Sequence, residues 1–400
     1  MKKIGIVVPS LVNGGGVTAV ARFIKDVALR SGRYEPILVS LCMSSDDPCS
    51  VNLLNVASWS KGVSVKTGEW EGRPYAHVGA KWGELEFQRY RCRPQVEKLL
   101  RDCDLIQVVS GSPAWANAVF GINKPVALQV ATRTVVERSH VLNREGISRH
   151  LLRRIMTVIA DRLDDRALRK VDAIQVENPW MHDYVKEINR GREADLRYAP
   201  PGVDASLFCP LPMRNIGIEP YVLCVGRLGD PRKNIQFLLE AFSTVAGNVS
   251  ENVKLVLAGA SEPTKEFWVR ADQLNIAHRI KYVKRPSRTE LISLYQHASV
   301  FALSSDEEGL GIVILEAMAC AIPVVATKCG GPDGIITDGK DGYLIPLGQP
   351  ETMADKLIKL LRDPELNQRI GAAARQTIVE RFEENVAGNV FVDMWDRLVS

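Results

Sequence analysis

Short apolar runs alternate with longer amphipathic ones along this chain, break off at a cluster of prolines, and then begin again. No other feature restricts the fold as much. A short run of consecutive apolar residues makes a strand only where both of its faces are covered, as in a parallel sheet flanked by helices. In the first half the expected strands are Ile4–Pro9, Ile37–Leu41, Leu105–Ser110, Val126–Val130 and Ala173–Val176. Helical patterns such as Val17–Ser31 and Leu151–Lys170 fall between them, and residues 44–80, polar and rich in Gly and Ser, fit neither pattern. The passage from Pro200 to Pro220 has prolines too dense for regular structure and is expected to be a linker. Beyond it the expected strands are Tyr221–Gly226, Lys254–Ala258, Ile280–Val283, Val300–Leu303 and Pro323–Ala326.

The chemistry concentrates after Val300–Leu303. Glu308-Gly309-Leu310-Gly311-Ile312 leads into an apolar helical pattern that carries Glu316. A strand, a glycine loop and a helix start form a ready anion site, because unbonded N–H groups and the helix dipole point into it. Carboxylates repel phosphate, so the two glutamates are expected to grip hydroxyl groups on either side of one. If the whole stretch were helical, their spacing would span roughly 12 Å, about the reach from a sugar across a diphosphate to a ribose. The expected ligand is a nucleotide sugar.

This stretch resembles the E-x7-E region of the retaining glycosyltransferases of family 4. The likeness continues through Ala317-Met318-Ala319-Cys320-Ala321-Ile322-Pro323, Gly330-Gly331 and Asp338-Gly339-Lys340-Asp341-Gly342. It implies the α/β GT-B fold, two Rossmann-like doubly wound domains facing across a cleft in which ligand lies at the strand ends. On this reading residues 1–200 form an acceptor domain, 201–220 the linker and 221–379 the donor domain, with a final helix over about 380–400 returning to the first domain. Glu308 would then orient the transferring sugar, Gly309, Leu310, Gly311 and Ile312 would meet the diphosphate, and Glu316 would hold the ribose.

Further elements fit the same family pattern. Gly226-Arg227-Leu228 followed by Lys233-Asn234 resembles the basic element that holds the diphosphate as it leaves, as fixed positive charge at a strand end would. Lys233 stands six positions after Arg227, one more than is usual in the family, which leaves Arg232 as a competitor. Asn13-Gly14-Gly15-Gly16 resembles the loop that reaches the donor phosphates, with Gly15 and Gly16 the contacts, and Val283 and Arg285 fall where relatives meet the base. Pro200-Pro201-Gly202-Val203-Asp204 and Phe208-Cys209-Pro210 resemble an element with a structural role. The chain departs from the family where a histidine often follows the strand Val126–Val130. Thr132 and Arg133 stand there instead, as expected acceptor-binding residues; the histidine's contact with the reacting sugar either passes to one of them or is absent, and His140 is read as an ordinary surface residue.

Composition narrows the alternatives. No run of apolar residues is long enough for a membrane span, and Met1–Val8 reads as a first buried strand, too short for a signal peptide. Eight scattered cysteines without C-x-x-C pairs or nearby histidines argue against zinc or a disulfide framework and for a reducing cytoplasm. Residues 1–210 carry 30 Lys+Arg against 23 Asp+Glu, and residues 211–400 carry 21 against 24. Part of the basic excess lies at Arg144, Arg149, His150, Arg153, Arg154, Arg162, Arg166, Arg169 and Lys170, interleaved with apolar residues. That run leaves open a peripheral contact with anionic lipid on the inner face of a membrane, although Asp161, Asp164 and Asp165 make a solvated helix face the simpler reading. Aromatic residues do not interleave with the basic ones, so nucleic acid is not an expected partner.

The expected activity is metal-independent transfer, with retention, of a sugar from a UDP- or GDP-sugar to a carbohydrate or lipid-linked acceptor, in glycan, glycolipid or cell-surface polysaccharide synthesis. On the same resemblance the basic residues Arg227 and Lys233 take the place of a cation, so no metal and no other cofactor is implied. The rivals are an epimerase of nucleotide sugars on the same fold and a catalytically silent sugar-nucleotide-binding protein.

Overall fold

The computed structural model describes residues 1–12, 15–142, 147–192, 194–212 and 219–400, with backbone alone for 140–142 and 147–152. The chain forms two compact units, Met1–Pro201 with Ala387–Ser400, and Gly202–Val386.

The first unit is built on eight strands, β1 Lys2–Val8, β2 Tyr34–Leu41, β3 Val65–Trp70, β4 Arg73–Val78, β5 Leu105–Ser110, β6 Val126–Val130, β7 Ala173–Val176 and β8 Asp195–Tyr198. Their order is β3-β4-β2-β1-β5-β6-β7-β8, and every pairing is parallel except β3 with β4. The strands β5, β6 and β7 are buried along their whole length, which is why their sequences read as unbroken apolar runs. The stretch 44–80 contains the hairpin β3–β4 and a short helix, Val56–Trp59. Its strand β3 is exposed through Glu69, so no burial pattern marks it in the sequence.

The final helix, Glu384–Leu398, packs in this unit from Ala387 onward. Phe391 meets Phe23 edge-on at 5.4 Å, Trp395 meets Tyr34 at 5.3 Å, and Trp395 Nε1 donates to Gln107 Oε1 at 2.8 Å. Gly388 lies so close to the helix Gly16–Arg30 that a Cβ there would stand 2.8 Å from Val27 Cγ2.

The second unit holds β9 Tyr221–Val225, β10 Lys254–Gly259, β11 Ile280–Lys284, β12 Val300–Leu303, β13 Val324–Thr327 and β14 Tyr343–Ile345, all parallel in the order β11-β10-β9-β12-β13-β14. The order reverses between β9 and β12, and the loops leaving their C-terminal ends flank the crevice where open α/β sheets bind ligands. Residues 202–212 of the expected linker are packed structure in this unit. Val203 N donates to Phe382 O at 2.8 Å, Asp204 caps the turn at Ser206 and Leu207, and Phe208 is buried against Tyr295. Residues 213–218 lie outside the described part.

Trp395 is fully buried and holds the last helix by both packing and a hydrogen bond. Trp395→Ala is expected to destabilise the first unit by about 3–5 kcal/mol, read from denaturant unfolding followed by a probe in that unit.

Candidate functional site

The loop after β9 is a chain of short-range caps. Asp230 Oδ1 accepts from Arg232 N at 3.1 Å and opens the turn Pro231–Lys233. Asn234 then takes a left-handed conformation (φ 40°), one that asparagine tolerates better than most residues, and its side chain caps the helix Ile235–Asn248.

The loop after β12 is fastened to this one. Ser304 Oγ donates to Lys233 O at 2.8 Å, Asp306 N donates to Arg232 O at 2.8 Å, and Asn234 Nδ2 donates to Asp306 Oδ1 at 2.8 Å. Arg232 bridges Asp230 at 3.0 Å and Glu307 at 3.1 Å. The sequence left Arg232 competing with Lys233, but its guanidinium is committed to this clamp. Arg227 is different. Its side chain is 61% exposed and touches Asp230 Oδ2 at 3.1 Å, so it can swing to a ligand. Lys233 Nζ forms an ion pair with Glu308 Oε1, which also accepts from Ser305 Oγ at 2.8 Å. The expected phosphate-binding cation and the expected sugar-binding carboxylate thus neutralise each other here.

Glu308 is held on its other side by β13's following loop. Its N–H donates to Cys329 O at 3.2 Å, and its carbonyl accepts from Gly331 N at 2.9 Å. Gly331 has to be glycine, because a Cβ there would lie 2.4 Å from Leu310 O. Gly311 has φ 88° and precedes the helix Ile312–Ala319. The stretch from Glu308 is therefore not helical throughout, and the estimated 12 Å span does not apply. Only Ile312 to Glu316 is helical, a rise of about 6 Å.

Glu316 is half-buried on this helix, and Tyr295 Oη donates to its Oε2 at 2.7 Å. Burial pushes its carboxyl up to about 7, against the opposing pull of Tyr295 and Arg288. Tyr295 is fixed in turn by Phe208, edge-on at 5.9 Å. Arg375 ties that segment to the helix end by donating to Ala205 O, Phe208 O and Ala319 O at 2.8–2.9 Å. Sequence reading missed Tyr295, which lies 21 residues before Glu316 in an ordinary helical pattern.

Val283, on β11, is half-buried, and the exposed Arg285 just beyond it has φ 46°, its N–H donating to Gly259 O at 2.9 Å. In the first unit, Gly15 (φ 105°) precedes the helix that starts at Gly16, and both are exposed; Asn13 and Gly14 lie outside the described residues. Thr132 is buried with its hydroxyl unpartnered. Arg133 turns to Asp161 at 2.7 Å and Asp165 at 3.3 Å, with its guanidinium 4.0 Å over the Tyr184 ring. Its charge is thus satisfied inside this unit, and the side chain of His140 lies outside the described part. So do Arg144 and the side chains of Arg149 and His150. Among the basic run's remaining residues, Arg154 and Arg162 are exposed, beside the exposed Ile155 and Val158. Among the described residues no helix is long and apolar enough to cross a membrane.

Residues 214–377 match the family described as glycosyl transferases group 1. A GDP-mannose-dependent alpha-(1-6)-phosphatidylinositol monomannoside mannosyltransferase of Mycolicibacterium smegmatis is 32% identical over 214 residues, 50% of this chain and 55% of that protein. An N-acetyl-alpha-D-glucosaminyl L-malate synthase of Bacillus anthracis is 32% identical over 151 residues, 38% of each. The chain thus spans about half, or less, of the length of these relatives. Among solved structures, a sucrose-phosphate synthase of Thermosynechococcus elongatus matches with a TM-score of 0.76 at 18% identity, over 100% of this chain and 99% of the other. HepE of Anabaena, solved with UDP-glucose, matches with a TM-score of 0.71 at 18% identity, over 99% and 100%. At such identities the likeness is one of fold, and the fold is GT-B.

The raised carboxyl of Glu316 sets a pH dependence. Its folded value, about 7, lies above the ordinary 4.5, so its contribution to stability is full below pH 4.5 and lost as pH rises to 7. Glu316→Gln is expected to match the parent's thermal midpoint at pH 4.5 and exceed it at pH 8, as scanning calorimetry would show.

Proposed function

We propose that this chain, whose residues 214–377 match the glycosyl transferases group 1, moves a sugar from a nucleotide diphosphate sugar to an acceptor hydroxyl, without a metal and with retention of anomeric configuration. One observation carries the reading. The Lys233–Glu308 ion pair sits with Arg227 on the two loops that leave β9 and β12, where the strand order reverses.

The pair suits the chemistry because each member has a use for a different part of the donor. A diphosphate offers Lys233 a stronger anion than one carboxylate, and the released Glu308 can accept hydrogen bonds from the sugar's hydroxyls. Departure of the nucleoside diphosphate breaks the bond from sugar carbon to phosphate oxygen. The charge that develops on that oxygen is met by Lys233, by Arg227 swinging from the surface, and by the N–H groups at Gly311 and Ile312. The acceptor oxygen bonds the same carbon from the same face, and its proton passes to the departing phosphate oxygen. Glu316, aimed by Tyr295, accepts from the ribose hydroxyls, and Val283 and Arg285 border the base.

The acceptor is assigned to the first unit, all of which lies outside the family match, and is a carbohydrate or a lipid-linked glycan. Exposed Ile155 and Val158 beside Arg154 and Arg162 would serve a peripheral contact with an anionic membrane if the acceptor is lipid-linked. Glycan or cell-surface polysaccharide synthesis is the setting that such acceptors suit. UDP- and GDP-sugars are the donors to test first, since the relatives named above use GDP-mannose or bind UDP-glucose.

Thermal shift against a panel of nucleotide diphosphate sugars tests the reading. The matching donor at a hundred times its dissociation constant should add about 2.7 kcal/mol of stability, and Glu316→Ala should lose that shift. If no donor stabilises the protein and no sugar is transferred, the proposal fails. In turnover assays Lys233→Ala should lower kcat at least about tenfold, in line with the loss of one charge-stabilising donor. Magnesium titrated into the assay should leave kcat unchanged; a requirement for it would overturn the metal-free mechanism.

A further inference from the structure

The first unit brings three side chains of metal-binding type together in a place that the transfer chemistry does not use. Asp47, Cys49 and His77 each offer a ligand atom, and these atoms lie within 4.8 Å of one another. Read along the chain, the cysteine spacing argues against zinc. Sheet register supplies what spacing cannot show. β2 lies beside β4 with Ser40 opposite His77, and the loop after β2 folds back over the imidazole.

That loop is fixed by bonds from backbone N–H groups. Asp47 Oδ1 accepts from Cys49 N at 2.8 Å, Cys49 O accepts from Ser64 N at 3.0 Å, and Ser50 Oγ accepts from Ala80 N at 2.8 Å. Gly79 permits the approach, since a Cβ there would lie 1.9 Å from Cys49 O. Cys49 is buried, and the side chains of Asp47 and His77 are 9% and 21% exposed.

The imidazole is also oriented. Its Nδ1 lies 3.1 Å from Ser40 Oγ and its Nε2 lies 2.5 Å from Asp47 Oδ2. With the Nδ1 proton donated to Ser40, the Nε2 lone pair points towards the carboxylate and can ligate a cation. Metal-bound histidines are commonly held this way by a partner on the other nitrogen. Imidazole, thiolate and carboxylate together suit a borderline-soft divalent ion such as zinc, whereas magnesium and calcium favour oxygen donors throughout. Two of the three donors are anionic when bound, so the ion's charge is neutralised beside the buried Arg93, whose charge is close enough to interact with Asp47.

We propose that Asp47, Cys49 and His77 form a zinc-class cation site, with His77 ligating through Nε2 and water in the fourth position, which ties the loop after β2 to β4. Binding releases the Cys49 thiol proton and any proton on His77 Nε2, and involves no change of oxidation state.

The test uses the full chain dialysed against metal-free buffer and titrated with zinc chloride or cobalt chloride. The parent protein should retain one equivalent of zinc after gel filtration, and its thermal midpoint should rise with zinc. Cys49→Ser and His77→Asn should lose both effects, while Cys42→Ser, which alters a buried thiol outside the cluster, should keep them. The cobalt form of the parent should show thiolate-to-cobalt charge-transfer absorption that Cys49→Ser lacks. Equal zinc retention by parent and Cys49→Ser, or no retention by the parent, would overturn the proposal. Should the variants fail to fold, the parent's cobalt spectrum decides alone, and absence of the charge-transfer band rejects the site.

Discussion

The Lys233–Glu308 ion pair is the interaction on which the rest of the second unit's strand-end surface depends. An ammonium and a carboxylate that are both largely shielded from water cannot stand apart cheaply, so two loops 75 residues apart in sequence are drawn together. The other partners then fall into place. Ser304, Asp306 and Asn234 add hydrogen bonds between the loops, and Arg232 fills the space between Asp230 and Glu307. An ion pair makes a good resting state for a phosphate site because it holds a cation in place without leaving it bare. It also couples two events, since an anion that captures the lysine frees the glutamate.

Glu316 is positioned by a longer route. Arg375 gathers carbonyls from the proline-rich segment and from the end of the helix Ile312–Ala319, that segment presents Phe208 to Tyr295, and Tyr295 aims the carboxylate. The prolines that look like a break in the sequence thus belong to a segment that supports a side chain of the candidate site.

Much of this fold can be read along the chain, and the parts that cannot share a physical cause. The strands Leu105–Ser110, Val126–Val130, Ala173–Val176 and Val300–Leu303 coincide with their apolar runs, because burial on both faces leaves an unambiguous composition. The strand Val65–Trp70 is invisible because it buries almost nothing, and Tyr343–Ile345 because it is too short to show a period. Within the candidate site the sequence marks Glu308, Glu316, Arg227 and Lys233 as the residues of interest but is silent on who pairs with whom. Spacing could not choose between Lys233 and Arg232, since that choice rests on Glu307, which meets Arg232 only after the sheet has formed. The meeting of His77 with Asp47 and Cys49 is likewise a product of strand register.

The placement of the last helix has a consequence for the making of the protein. Gly202–Val386 is a continuous stretch and forms the second unit by itself, whereas the first unit needs residues from both sides of it. On the ribosome the sheet that contains Gln107 emerges early, yet Phe391 and Trp395, which cover part of it, are joined only after the whole of the second unit. The nascent first unit must therefore wait with apolar surface uncovered while the whole of the second is synthesised. The half made second can finish folding first, and a ribosome stalled anywhere before Trp395 leaves the half made first with part of its sheet uncovered.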